Sequence, residues 1–110
     1  MSVLHEQTCS ACHADAPKLT EKEIKQHLNH VPEWTVKYIE SIPVLTRVFE
    51  FKDFAQALSF TNRVGELAEQ EQHHPKIVTE WGKVSVDWWT HKIKGLHTND
   101  FIMAAKTSLL

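Results

Sequence analysis

Hydrophobic residues recur at helical spacing in three separate parts of the chain. The first stripe follows Thr20 and Glu23, which together form a capping box at a helix start. The longest stripe follows Asp53, a residue type that favours helix N-caps. A third stripe follows Gly95-Leu96, with His97 or Thr98 as its N-cap. The pattern therefore predicts three helices.

Four shorter segments alternate between apolar and polar residues, which is the period of a half-buried β-strand. Two of them lie between positions 33 and 51, with Ile42-Pro43 as the predicted connection. Arg47 interrupts the apolar face of the second segment, which indicates either an edge position or a polar contact. The other two segments, of which the third is predicted over Ile77 to Trp81, flank a tight turn at Trp81-Gly82-Lys83.

Alternation assigns the residues of the fourth strand to two faces. The face expected to lie beneath the helices carries Val84, Val86, Trp88 and Thr90. The other face carries Ser85, Asp87, Trp89 and His91. His91 is therefore expected on the face away from the helices or, at the strand's end, on its rim.

The predicted order is helix, strand, strand, helix, strand, strand, helix. Short connections within each strand pair favour an α+β fold with a four-stranded antiparallel sheet and three helices packed on one face. This domain is predicted over residues 19–110, after an arm over residues 1–18 that we expect to be mobile. One sheet face and two edges would stay uncovered, which favours a homodimer or homotetramer.

Composition narrows the function classes. The chain has 110 residues, of which 42% are hydrophobic and 24% charged, as in an ordinary soluble domain. Its net charge of -2 gives no electrostatic reason to expect direct nucleic acid binding. No apolar run suits a membrane span or an export signal, so a cytoplasmic location is predicted.

The arm carries Cys9-Ser10-Ala11-Cys12-His13, which matches a c-type haem attachment pattern, a redox Cys-x-x-Cys or half of a zinc site. Each of these interpretations lacks its context, because no export signal, preceding strand or second cysteine pair accompanies the motif. Two free thiols are the favoured interpretation, and metal or disulfide chemistry is the alternative.

The chain has eight histidines, and two of them end the long helical stripe as His73-His74-Pro75. Glu69 lies four residues before His73, so the two side chains are expected to share a helix face and to hydrogen-bond. His91 and Asp100 follow at longer intervals. Histidine both gives and takes a proton near neutrality, so these residues indicate an acid/base site or a metal site. A purely structural role near helix ends is the alternative.

A resemblance to a known family rests on these residues. The segment Glu69-Gln70-Glu71-Gln72-His73-His74-Pro75, followed by Trp81, Thr90-His91 and Asp100, resembles the signature of the pterin-4a-carbinolamine dehydratases. The similarity extends to Val31-Pro32-Glu33-Trp34, Phe51-Lys52-Asp53-Phe54 and Gly95-Leu96, and so covers the chain from Leu19 onwards. The segment Glu80-Trp81-Gly82-Lys83-Val84 and the cysteine arm are similar to bacterial members that accompany phenylalanine hydroxylase.

The resemblance implies dehydration of 4a-hydroxytetrahydropterin to quinonoid dihydropterin, which recycles the cofactor of aromatic amino acid hydroxylases. It also implies an oligomer that needs no cofactor, with the pterin as substrate and a phenylalanine hydroxylase as functional partner. Animal members also bind a homeodomain transcription factor, and some bacterial members are linked to hydroxylase expression. Ile77 departs from the family, since many members carry an aromatic residue there.

For this reaction, His73 and His74 are predicted to act as general acids toward the 4a-hydroxyl. His91 is predicted to bind the pterin edge and to exchange protons with it. Glu69 would tune His73, and Trp34 or another tryptophan would stack on the flat ring. The predicted substrate-binding residues are Pro75, which fixes the turn, Thr90, Lys92, Asp100 and Trp34.

Two rival hypotheses remain. One is a zinc site formed by His73, His74 and His91, although consecutive helical residues project about 100° apart and would not easily reach one ion. The other is a non-enzymatic dimerisation or transcriptional coactivator module that uses the exposed sheet or a helix face.

Overall fold

The computed structural model describes residues 18–110, in which two pairs of consecutive strands form one sheet accompanied by three α-helices. The elements are α1 (Glu21–Leu28), β1 (Thr35–Ile39), β2 (Ile42–Glu50), α2 (Phe54–Glu71), β3 (Lys76–Glu80), β4 (Lys83–Trp88) and α3 (Thr98–Thr107). All strand pairs are antiparallel, in the order β1-β2-β4-β3. The predicted α+β fold with three helices and a four-stranded antiparallel sheet is confirmed. The cysteine motif of the arm lies outside the described residues.

Side-chain caps start each helix where the sequence predicts it. The hydroxyl of Thr20 accepts from the backbone N–H of Glu23 at 3.2 Å, and the Glu23 carboxylate accepts from the N–H of Thr20 at 2.9 Å. The Asp53 carboxylate accepts from the N–H of Gln56 at 2.8 Å. His97, one of the two predicted caps of α3, is the N-cap that the structure shows.

The turn between β1 and β2 corrects the sequence prediction. Glu40 and Ser41 make the turn with φ values of 50° and 68°. Ile42 and Pro43 lie within β2 and pair with the last residues of β1, so the predicted Ile42-Pro43 connection is wrong. Proline is tolerated there because β4 pairs with β2 only from Leu45 onwards, so no ladder bond to β4 is lost.

The core lies between the sheet and the helices. Its fully buried strand residues are Leu45, Val84, Val86 and Trp88, and its helix residues include Ala57, Phe60, Val64, Phe101 and Met103. Arg47 lies on a central strand, and its guanidinium stands 4.3 Å from the ring centroid of Phe49 and donates to the Ser108 hydroxyl at 3.0 Å. Of the two alternatives for Arg47, the polar contact is therefore correct.

The β3–β4 hairpin determines where the candidate site lies. Its turn follows Glu80, which pairs with Lys83, while Lys76 at the other end pairs with Asp87. The chain before β3 and the chain after β4 therefore lie at the same end of the sheet. This arrangement brings residues 73–75 close to residues 89–91, although the two segments are well separated in sequence.

Candidate active site

The end of α2 differs from the helical arrangement predicted for the histidine pair. Gln72 adopts the left-handed conformation, with φ 53° and ψ 39°, and the N–H of His73 donates to the carbonyl of Ala68 at 3.2 Å. Both histidines thus lie beyond the helix, and the helical spacing between Glu69 and His73 is lost. Nε2 of His74, not that of His73, donates to the Glu69 carboxylate at 2.5 Å. The predicted pairing of Glu69 with His73 is wrong.

His73 is paired with Asp100 instead. Its Nε2 donates to Oδ1 of Asp100 at 2.6 Å, and the two side chains are 7% and 0% exposed. The imidazole also lies parallel to the indole of Trp88, with 5.7 Å between the ring centroids and 7° between the planes. Because an ionised carboxylate only accepts hydrogen bonds, Nε2 carries a proton, and in a neutral imidazole Nδ1 is then the acceptor.

Asp100 connects three segments of the chain. Its other oxygen, Oδ2, accepts from the Thr90 hydroxyl at 2.8 Å and from the backbone N–H of His97 at 2.9 Å. An ionised carboxylate can bind all three donors because both of its oxygens accept hydrogen bonds and neither carries a hydrogen. Both oxygens are engaged within the protein, which favours a supporting role for Asp100 and Thr90 over direct contact with a substrate.

His91 follows Thr90 directly and lies at the rim of the sheet. Because β4 ends at Trp88, His91 is outside the strand, in a single 3₁₀ turn over His91–Ile93. Its exposed imidazole lies parallel to the Trp89 indole, with 4.3 Å between the centroids and 4° between the planes. Lys92 is exposed in the same turn.

The residue that caps α3 is also part of this cluster. Nδ1 of His97 accepts from the backbone N–H of Asn99 at 3.1 Å, which requires an unprotonated nitrogen. Burial lowers the pKa of His97, and the charge of Asp100 opposes this effect, while His73 and His27 add to it. His97 therefore favours the neutral form that the cap needs.

Trp34 lies away from this cluster. Its side chain is 2% exposed, its Nε1 donates to the Ser108 hydroxyl at 2.9 Å, and its ring meets Phe49 edge-on at 5.9 Å. A ring enclosed in this way has no free face, which argues against the predicted stacking of Trp34 on a substrate. The sequence did not lead us to expect the stack of Trp89 on His91, although the predicted alternation of the fourth strand placed the two residues on one face.

A groove of about 940 Å³ lies between α2 and β3. Glu69 and Ile77 are among the residues that line it, so the carboxylate that holds His74 borders this space. Pro75 is half-buried between the histidine pair and the start of β3. Ile77, the residue that departs from the family pattern, thus lines the same groove as Glu69.

The described residues offer no support for the zinc alternative. Within residues 18–110, no group of three or more histidine, cysteine, aspartate or glutamate side chains is placed to hold a metal ion. His73 already directs its Nε2 to Asp100, and His74 directs its Nε2 to Glu69.

Within residues 18–110, no helix has the length and apolar character that crossing a membrane requires.

Comparison with known proteins identifies the family. The family model described as pterin 4 alpha carbinolamine dehydratase matches residues 17–110. The chain belongs to this family. A crystal structure of a transcriptional coactivator/pterin dehydratase from Brucella melitensis is 31% identical, with a TM-score of 0.75 over 84% of this chain and 97% of that chain. The resemblance found in the sequence is confirmed, and the protein is a hydro-lyase of the pterin dehydratase type.

Proposed function

We propose that this dehydratase converts 4a-hydroxytetrahydropterin to quinonoid dihydropterin and water by histidine acid/base catalysis. The observation that carries the proposal is the Asp100 carboxylate, which bonds His73 at 2.6 Å and, at 2.8 Å, the Thr90 hydroxyl next to His91. This contact holds two of the candidate histidines at one end of the sheet, in a chain of the dehydratase family.

The reaction needs two proton transfers. The bond between C4a and the hydroxyl oxygen breaks, and the departing hydroxide takes up a proton to leave as water. A ring N–H loses its proton, and the electron pair left behind forms the new double bond to C4a. Groups that titrate near neutrality suit both steps, and a well-placed acid or base typically contributes about 10² to 10⁴ in rate.

The histidine pair suits the first transfer. In both His73 and His74, Nε2 is bonded to a carboxylate, which leaves Nδ1 for the substrate. A proton taken up at Nδ1 gives an imidazolium beside a carboxylate, from which it can pass to the 4a-hydroxyl. His74 is the accessible member, with its side chain 57% exposed, whereas His73 is 7% exposed.

The exposed ring of His91 suits the second role. We assign it to the pterin edge, where a free ring nitrogen binds the heterocycle and exchanges a proton with it. Lys92, exposed in the same turn, and Pro75, which presents the histidine pair, complete the proposed substrate contacts.

Turnover of single variants tests the proposal. Enzymatically generated 4a-carbinolamine is supplied to the wild type and to His73→Ala, His74→Ala and His91→Ala. We expect His91→Ala to lower turnover by at least about 10²-fold. His30→Ala is the matched control, because His30 is exposed just beyond α1 and is not one of the proposed site residues. Equal turnover in all of these folded proteins would remove the enzymatic mechanism.

The physiological partner is proposed from the resemblance of Glu80-Trp81-Gly82-Lys83-Val84 to bacterial members that accompany phenylalanine hydroxylase. We propose that the dehydratase acts in the cytoplasm on the pterin released by such a hydroxylase and that it needs no cofactor of its own. Addition of the dehydratase to a purified pterin-dependent phenylalanine hydroxylase should raise the steady rate of cofactor recycling, and His91→Ala should not.

Self-association is proposed from the uncovered sheet face. Val48 and Val78 are 53% and 44% exposed there, and β1 and β3 are edge strands. Exposed apolar residues on an open face favour a homodimer or homotetramer. Light scattering of the wild type and of Val48→Lys tests this proposal, and a wild-type monomer at all concentrations would contradict it.

A second candidate function is a non-enzymatic dimerisation or coactivator role. The name of the Brucella melitensis structure, a transcriptional coactivator/pterin dehydratase, favours it. Since the net charge of -2 does not favour direct nucleic acid contact, such a role would act through a protein partner. If the coactivator role is the function, His91→Ala should leave the protein's function in the cell intact, whereas the enzymatic function predicts that the variant loses it.

A further inference from the structure

Two consecutive tryptophans at the end of β4 each stack on a different candidate histidine. Trp88 lies parallel to His73, with 5.7 Å between the ring centroids, and Trp89 lies parallel to His91, with 4.3 Å between them. His73 also has a carboxylate partner at 2.6 Å, so the indole is its second support. Within residues 18–110, His91 has no such carboxylate partner.

The side chain of His91 is exposed in the short turn that follows β4. This 3₁₀ turn has three residues, none of them fully buried, and no side chain caps it. Within residues 18–110, no side-chain hydrogen bond to its imidazole is present. The stack on Trp89 is therefore the contact that fixes the ring plane in this part of the chain.

Trp89, by contrast, is well anchored. Its side chain is half-buried and packs against the hydrophobic core. The backbone beside it is also held, because the N–H of Thr90 donates to the carbonyl of Gly95 at 2.9 Å and the Thr90 hydroxyl donates to Asp100 at 2.8 Å. The Trp89 indole and the backbone next to His91 are thus held in place, whereas the side-chain torsions of His91 are free to change.

We propose that Trp89 is a positioning residue for His91 in the dehydration reaction. Rotation of the imidazole out of the parallel arrangement would lose the face-to-face contact, so the stack restricts the imidazole to one ring plane. The inference rests on the proposed role of His91. A misplacement of about 1 Å can cost on the order of 10²-fold in rate, so loss of the indole should be visible in turnover.

The test is a double-mutant cycle with 4a-carbinolamine as substrate. Trp89→Leu in the wild-type background should lower kcat and kcat/KM together, on the order of 10²-fold. In the His91→Ala background, the same substitution should have little further effect, because the ring it positions is gone. Trp89→Phe keeps an aromatic face and should restore most of the turnover.

Three outcomes separate this inference from the proposed function. Equal losses from Trp89→Leu in both backgrounds would overturn the positioning role and leave the acid/base proposal standing. Full turnover of Trp89→Leu would likewise overturn the positioning role and leave the acid/base proposal standing. Full turnover of His91→Ala would overturn the proposed role of His91 and the positioning role with it.

A spectroscopic readout guards against simple destabilisation. The imidazole protons of His91 lie over the indole face, so their NMR resonances should be shifted upfield in the wild type and in Trp89→Phe. The shift should be absent in Trp89→Leu or, if that variant does not fold, in Trp89→Met, because methionine fills irregular core gaps well. Trp81→Leu is the matched control, since Trp81 is 72% exposed at the far end of the hairpin. An unshifted His91 in the wild type would refute the stack.

Discussion

Replacement of Asp100 by asparagine tests whether its carboxylate sets the proton position on His73. The substitution keeps the shape of the side chain but changes one acceptor oxygen into an NH₂ donor. Asp100 accepts from three groups, namely His73 Nε2 at 2.6 Å, the Thr90 hydroxyl at 2.8 Å and the His97 N–H at 2.9 Å. The new amide must therefore direct its NH₂ toward one side of this set.

The two orientations differ in free energy. An NH₂ facing Thr90 and His97 would oppose the His97 N–H, which can only donate, at about 1–3 kcal/mol, whereas the Thr90 hydroxyl could rotate to accept from it. An NH₂ facing His73 keeps all three contacts if His73 moves its proton from Nε2 to Nδ1. We therefore expect the second orientation, with a loss of about 1–3 kcal/mol because bonds to a charged group become bonds to a neutral one.

The same substitution should also lower turnover. In Asp100→Asn, the neutral His73 ring presents an N–H at Nδ1, and a protonated ring no longer has a carboxylate beside it. Since a general acid or base contributes about 10² to 10⁴ in rate, we expect turnover to fall by at least about 10²-fold. Asp100→Ala, which leaves the buried partners unpaired, should instead lose about 3–5 kcal/mol of folding free energy.

Turnover, urea unfolding and nitrogen NMR of the His73 ring on the same preparations check these expectations. The ring spectrum reports which nitrogen carries the proton. Native turnover in a folded Asp100→Asn protein would refute the reasoning, as would a His73 ring that still carries its proton on Nε2.

Three further predictions follow from contacts elsewhere. Glu69→Gln should change the free energy of unfolding by less than about 1 kcal/mol, because the Glu69 and His74 side chains are 72% and 57% exposed. It should also lower turnover less than Asp100→Asn does. Thr20→Ala should lower the free energy of unfolding by about 1 kcal/mol through loss of the α1 cap, measured by urea unfolding. Burial lowers the pKa of His97 in the folded protein from 6.5, so as the pH falls His97 is protonated in the unfolded chain before it is protonated in the folded one. The contribution of His97 to stability should therefore be constant above about pH 6.5 and should decrease below it.

Matched variants provide the controls. His97→Asn keeps an N-cap of a favoured type but does not titrate, so the fall in stability below about pH 6.5 should be smaller than in the wild type. An unchanged pH profile would contradict the role of His97. Thr20→Ser keeps the hydroxyl and should restore the cap, and equal losses in both Thr20 variants would contradict the capping explanation.

Local signals in the sequence predicted much of the fold. The caps at Thr20 and Asp53 depend on residues within three positions of each other, and these predictions are confirmed. The β1–β2 turn was missed because Glu40 and Ser41 adopt positive φ without being glycine or asparagine, the residues that usually signal such a turn. Tertiary pairing of the strands overrides the preference of these two residues.

The candidate site was predicted in its residues but not in its pairings. The left-handed Gln72 removes the helical spacing on which the expected Glu69–His73 contact depended. The contact that replaces it joins His73 to Asp100, 27 positions later, and follows from how the hairpin and α3 pack. No local rule gives such a pairing, and burial of Trp34 in the core likewise depends on the whole fold.

The bonding of Asp100 has a consequence for protein engineering. Because this side chain bonds the segment after α2, the segment after β4 and the start of α3, a His-His-Pro motif moved alone into another scaffold would arrive without its partner. A designer who wishes to transplant the chemistry must carry over a hairpin, a helix start and the aspartate between them as one unit.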